Sequence, residues 1–277
     1  MPTPVLLTHM AARFIIWGSN TGVGKTLVSA GICASAARRQ VPSLYLKPLQ
    51  TGFPADSDGR LVAHLTCGGH VLGQHALECA GSAQAAVASP GEGTSCVTLH
   101  AWQAAVSPHL AVEFEGRIVG DDEVLRRSRE SLSHFDDEQP VGAPRALALV
   151  ETAGGPCSPG PTGALQADVF QPLGLPAILV GDGRLGGISS TICALESLVL
   201  RGYDVRAIAL LDGGLGNSEA LGYHLSDKVD HIVTLPPLVK PDDGGEASVE
   251  AVSEWLKEGE LGFDSLVDAL RLTGHAR

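Results

Sequence analysis

Six short apolar runs recur along the chain, and each gives way to a glycine, a proline or a charged residue. Phe14–Trp17 runs into Gly18, Ser43–Leu46 into Lys47, and Ala146–Val150 into Glu151. Ala177–Val180 runs into Gly181-Asp182, Ala207–Leu211 into Asp212, and His231–Leu235 into Pro236. Runs of this length without period-two alternation suit strands covered on both faces, the strands of parallel sheets. Helical stretches at Thr26–Arg39, Ile188–Arg201 and Ser248–Glu258 separate several of them. Strand, helix, strand in succession predicts an α/β fold, a parallel sheet with helices on both faces. Open sheets of this kind place their sites at the carboxyl ends of the strands.

Composition narrows the partners. The 277 residues carry 19 Lys+Arg against 31 Asp+Glu, a net charge of -12, which repels nucleic acid and anionic membranes. A local phosphate site survives that field, because a few backbone N–H groups act at contact distance. Hydrophobic residues make up 44% of the chain, enough for a substantial core and for one domain over 1–277. The cysteines at 33, 67, 79, 96, 157 and 193 form no CxxC pair and read as thiols of a reducing compartment. No apolar run reaches the roughly 18 residues of a membrane span, and residues 1–13 read as an extension without a targeting pattern. The expectation is a soluble intracellular protein.

Two stretches break the alternation. Residues from about 67 to 100 are rich in Gly, Ala, Ser and His and are expected to form a low-complexity surface insertion. Its neighbourhood holds His64, His70 and His75, which fall in no recognised ligand spacing and read as surface residues. Glu113–Gln139 is charged and interrupted, and reads as a solvated helical excursion.

The sharpest motif is Gly18-Ser19-Asn20-Thr21-Gly22-Val23-Gly24-Lys25-Thr26, between the first strand and a helix. Glycines let the backbone fold so that several N–H groups face phosphate oxygens. Lys25 supplies a charge for the β- and γ-phosphates and the Thr26 hydroxyl a ligand for Mg²⁺. Ser19 stands where the strict pattern has glycine, and Gly18 comes one residue early. The motif predicts a P-loop NTPase-like sheet. Glu151, ending its strand, is a candidate second Mg²⁺ ligand. Asp58 in Asp56-Ser57-Asp58 is a candidate third, with Asp56 as the alternative. Lys47, ending the second apolar run, could reach the terminal phosphate and stabilise charge passing to an acceptor, with Thr51 beside it.

Together these residues resemble the dethiobiotin synthetase family, ATP-dependent ligases of biotin synthesis. The likeness rests on the phosphate loop Gly18–Thr26, Lys47-Pro48 through Thr51-Gly52, Ser57-Asp58, Ser107-Pro108-His109, Val150–Gly155 and Ala177–Ile188. Leu46–Pro54, Val150–Gly155 and Leu179–Ser189 look most similar to the synthetase half of the plant and fungal proteins fused to a diaminopelargonate aminotransferase. The aminotransferase half is expected to be absent from this chain and could be supplied by a separate partner.

The resemblance implies that 7,8-diaminopelargonate takes up CO₂ as a carbamate, which attacks the γ-phosphate of MgATP. The second amine then closes the ring. It implies Lys25 and Lys47 flanking the transferring phosphoryl group and Mg²⁺ on Thr26, Asp58 and Glu151. ATP would lie against Asn20, Thr21, Gly22, Val23, Gly24, Lys25, Thr26, Glu151, Gly154 and Asp212. Substrate would lie against Lys47, Thr51, Gly186, Gly187, Ile188 and Ser189. It further implies a homodimer sharing the substrate site across its interface, and a mitochondrial location, with the cytoplasm as alternative since residues 1–13 carry no clear transit peptide.

Three departures matter. Leu211 precedes Asp212 where bacterial members carry asparagine, which removes an amide for reading adenine. Thr152 replaces a glycine in the turn after Glu151, and Asn20 stands where partitioning and metallochaperone ATPases carry a signature lysine. That last difference counts against a switch ATPase, the main alternative. A scaffold module without catalysis is the other, and intact Lys25, Thr26, Lys47 and Glu151 speak against it.

Overall fold

The computed structural model describes residues 10–66, 84–86, 93–139, 145–238 and 247–272. Its strands are β1 (Ala12–Gly18), β2 (Ser43–Gln50), β3 (Gln84–Ala86), β4 (Thr94–Ala101), β5 (Leu147–Glu151), β6 (Ala177–Gly181), β7 (Val205–Leu211) and β8 (His231–Leu235). They form one sheet in the order β3-β4-β2-β5-β1-β6-β7-β8, in which only β3 runs antiparallel to its neighbour. The helices are α1 (Lys25–Arg38), α2 (Asp58–Thr66), α3 (Pro108–Glu115), α4 (Asp121–Asp137), α5 (Gln166–Phe170), α6 (Gly187–Leu200), α7 (Asn217–Leu225), α8 (Val249–Glu258) and α9 (Glu260–Leu272).

The unbroken apolar runs are explained by two cores. Along β1, Ile15 and Trp17 face one layer with Leu132, Phe135, Phe170 and Leu198. Phe14 and Ile16 face the other with Val28, Ile32, Trp255, Phe263 and Leu266. Each strand position therefore needs an apolar side chain whichever way it points. In the second layer α9 presses on α1 so closely that a methyl group at Gly31 would collide with the Phe263 ring.

Three expectations need correction. Residues 94–101, placed in the low-complexity insertion, form the buried strand β4 between β2 and β3. Small and hydroxyl residues hid it, since Thr-Ser-Cys-Val-Thr-Leu-His-Ala carries few large apolar groups. The rest of that insertion call, with Cys67, Cys79, His70 and His75, lies outside the described residues apart from β3, and His64 sits in α2. Strand β2 does not stop before Lys47 but runs to Gln50, because β4 continues to pair with it beyond Leu46. Residues 113–139 are not a solvated excursion: α4 turns Val124, Leu125, Leu132 and Phe135 into the core and only its charged face outward. Among the described residues no helix is long and apolar enough to cross a membrane.

Candidate active site

Three parallel strands set the site. Because β5 inserts between β1 and β2, the end of β5 stands beside both the phosphate loop and Lys47. The loop leaves β1 at Gly18 and re-enters regular structure at α1, with Gly22 and Gly24 in left-handed conformations (φ 71° and 94°). No side chain caps α1 and its first turn carries no acidic residue, so its N-terminal dipole faces the loop uncompensated. The Lys25 side chain folds back under this loop. A methyl group at Gly18 would stand 3.0 Å from Nζ.

The two lysines differ in charge environment. Lys25 is 8% exposed and has no ion-pair partner among the described residues. Burial, then repulsion from Lys47, lowers its pKa to about 8 against the partial support of Glu151 and Asp58. Lys47 is also buried, and burial opposes its charge, but Asp58 and Glu151 outweigh that and raise it above the ordinary lysine range. Its Nζ stands 2.6 Å from Asp58 Oδ2 and 2.8 Å from Glu151 Oε1, and donates to the Thr152 carbonyl at 3.3 Å.

Around the same carboxylates the Thr26 hydroxyl reaches Asp58 Oδ1 at 3.1 Å and Glu151 Oε1 at 2.9 Å. Thus Lys25, Thr26, Lys47, Asp58 and Glu151 share one pocket at the carboxyl edge. Asp56 stays outside it, exposed, with its carboxylate over Gly52. Asp58 opens α2 rather than lying in a turn.

The remaining predicted residues divide. Gly154 (φ 100°) packs beside Thr21, where a methyl group would lie 3.9 Å from Oγ1, so the turn after β5 touches the phosphate loop. The Thr152 hydroxyl donates inward to the Ile16 carbonyl at 2.9 Å. The Asn20 side chain accepts from Thr21 N at 2.8 Å, closing its own turn. Thr51 follows directly on β2, half-buried. Leu211 rests on Gly24, whereas Asp212 is exposed and accepts from Gly214 N at 2.8 Å. Gly186–Ser189 opens α6 beyond β6, three strand spacings or roughly 14 Å from β2.

Two supporting residues escaped the sequence reading. Ser29 donates to Glu151 Oε2 at 2.7 Å. Its signal was its place one helical turn beyond Thr26. Gln50, 4% exposed, accepts from Asp58 N at 3.2 Å while its amide donates to the carbonyls of Asp56 (2.6 Å) and Thr51 (2.8 Å). One side chain thereby folds the 51–58 loop and delivers Asp58.

Comparison with known proteins agrees with this architecture. A family model described as an AAA domain matches residues 12–72. A bifunctional dethiobiotin synthetase/7,8-diamino-pelargonic acid aminotransferase, mitochondrial, of Oryza sativa subsp. japonica is 42% identical over 93% of this chain and 34% of its own length. The chain therefore spans about a third of that relative. An ATP-dependent dethiobiotin synthetase BioD of Phenylobacterium zucineum is 28% identical over 88% of this chain and 95% of its own. Among solved structures, a ParA family ATPase from Chlorobium tepidum superposes with TM-score 0.54 at 11% identity, covering 93% of this chain and 99% of that one. That likeness carries the fold alone. In sequence the chain is thus similar to dethiobiotin synthetases: to about a third of the plant protein's length and to nearly the whole of the bacterial one.

Proposed function

We propose that the chain catalyses the ATP- and Mg²⁺-dependent carboxylation and ring closure of 7,8-diaminopelargonate with CO₂, yielding dethiobiotin, ADP and phosphate. The observation that carries this is the convergence of two buried lysines, one unpaired and one doubly paired, on the Thr26, Asp58 and Glu151 oxygens. The buried Lys25 ammonium under an uncapped helix start suits a polyanion such as the ATP phosphates. Asn20–Thr26 would cradle them, with Gly154 lining the loop and Asp212 nearer the base.

The oxygen set fits Mg²⁺, which takes one or two carboxylates and leaves its other positions to water and phosphate. Thr26, Asp58 and Glu151 would hold it, and bound there it supplies charge neutralisation to the phosphates. Among the described residues no group of three or more His, Cys, Asp or Glu that could hold a metal ion occurs. Lys47 remains an ammonium at neutral pH and so acts as a charge, not a base. It would orient the carbamate, with Thr51 alongside, and stabilise charge on the transferring phosphoryl group. Catalysis is then positioning and electrostatics without a protein nucleophile.

The N–H groups at Gly186, Gly187, Ile188 and Ser189 would receive the substrate carboxylate. Their distance from β2 favours a site shared between two protomers of a homodimer. A separate or fused diaminopelargonate aminotransferase would supply the diamine, and the plant relatives point to the mitochondrion. One domain over 1–277 accords with the single sheet.

The test is phosphate release from MgATP and bicarbonate, with and without 7,8-diaminopelargonate, in the unchanged chain and in Lys47→Ala. Diamine-dependent release, lost in the variant, with dethiobiotin identified by mass spectrometry, is the expected result. Release indifferent to the diamine overturns the proposal.

A further inference from the structure

The loop after β6 and the loop after β7 touch backbone to backbone. A methyl group at Gly183 would collide with the Leu211 carbonyl, and one at Gly213 with the Gly183 carbonyl, so neither loop has room for a side chain there. Asn217, the first residue of α7, closes the contact. It is 6% exposed although 212–216 before it are exposed. Its Nδ2 donates to the carbonyl oxygens of Asp182 and Arg184, both at 3.0 Å, spending both amide hydrogens on the β6 loop.

The β6 loop is braced from within as well. Asp182 N donates to Thr191 Oγ1 of α6 at 3.1 Å, and the Asp182 carboxylate binds Arg184 through backbone and guanidinium. A methyl group at Gly187 would collide with the Asp182 carbonyl and stand 3.0 Å from Asn217 Nδ2. At the far end, a methyl group at Gly24 would stand 3.2 Å from both Leu211 methyls. An unbroken path of contacts thus runs from the phosphate loop through Leu211, Gly213 and Gly183 to Asn217 and the start of α6.

We propose that Asn217 is a positioning residue that couples nucleotide occupancy at the phosphate loop to the geometry of the α6 start. Coupling between sites needs a contiguous element that both of them bias, and two loops packed without intervening side chains move as one. Removing the amide leaves two loop carbonyls without their partner, and the β6 loop then relaxes independently of β7. The identity of the substrate seated at α6 rests on the synthetase reading above; the coupling itself does not.

Hydrogen exchange on the full chain, with and without ATP, tests this beside kinetics for Asn217→Ala and Asn217→Asp. In the unchanged chain ATP is expected to slow exchange across both 182–189 and 211–216. In either variant the slowing is confined to 211–216. The KM for 7,8-diaminopelargonate rises about tenfold, as expected for two lost hydrogen bonds, while the ATP Kd measured without diamine is unchanged. The proposal is overturned if ATP still protects 182–189 in both variants, or never protects it in the unchanged chain. Failure of diamine-dependent turnover in the unchanged chain would end the synthetase reading, and the exchange measurement would still decide the coupling.

Discussion

The Ser29 hydroxyl grips one oxygen of Glu151 at 2.7 Å and leaves the other turned toward Thr26 and Lys47. Both residues are fully buried, so Glu151 has no water to satisfy the oxygen that Ser29 holds. One helical turn of α1 therefore presents two hydroxyls, Thr26 and Ser29, to the two oxygens of a single carboxylate.

Ser29→Ala should remove the hydroxyl that holds that oxygen and free the carboxylate to rotate. We expect a stability loss of about 1–3 kcal/mol and a higher Mg²⁺ concentration for half-maximal nucleotide binding, with metal-free binding little changed. Denaturant unfolding and a Mg²⁺ titration check the two parts. Unaltered Mg²⁺ dependence would mean that Thr26 and Lys47 orient Glu151 unaided.

Nucleotide choice is expected to be relaxed. Leu211 offers no amide and packs on Gly24, while the Asp212 carboxylate is engaged by Gly214 N. Discrimination beyond about a hundredfold needs hydrogen bonds that the wrong base leaves unpaired. Steady-state rates with GTP and CTP should therefore stay within roughly a hundredfold of the ATP rate; a larger gap refutes the expectation.

Gly31 should tolerate no side chain. The Phe263 ring occupies the space that a Cβ would take, so Gly31→Val forces α9 away from α1 at a cost of about 1–3 kcal/mol. Combining it with Phe263→Ala should cost less than the sum of the two single changes, because they share one contact. Additive unfolding energies would contradict this.

Acid sensitivity should trace in part to His100. Burial first, then Arg127 and Arg117, lowers its pKa from 6.5 to about 4. The unfolded chain thus binds a proton that the folded chain refuses. The stability held by neutral His100 is complete above pH 6.5 and is lost as pH falls toward about 4. Thermal unfolding of His100→Leu should depend less steeply on pH across that interval, and an unchanged slope would exclude His100 as the cause.

The sequence made the strands that end at Gly18, Glu151, Gly181 and Leu211 legible, because layers on both faces demand uninterrupted apolar runs. It also marked Lys25 and Thr26 through the glycine-rich motif, and Lys47 and Glu151 where an apolar run meets a charged residue. β4 was illegible because its small residues carry no periodic signal, and without it Lys47 looked like a strand end. Asp56 and Asp58 could not be told apart along the chain. Their difference comes from Gln50, whose amide folds the intervening turn and points only Asp58 inward. Asn217 gave no sign either, because its partners lie over thirty residues upstream in a loop that only the sheet order brings near.

The insertion of β5 between β1 and β2 also bears on when the site comes into being. Lys25, Thr26, Lys47 and Asp58 are all synthesised well before Glu151, and β1 and β2 do not pair with each other. Until β5 emerges and closes the gap, the two lysines lack the carboxylate that keeps their charges compatible, and β1 and β2 lack their shared neighbour. Assembly of the pocket therefore waits on contacts more than a hundred residues apart, the kind whose loop-closure entropy slows folding. On the ribosome, the phosphate loop would leave the exit tunnel early but become a nucleotide trap only after the central strand had followed it.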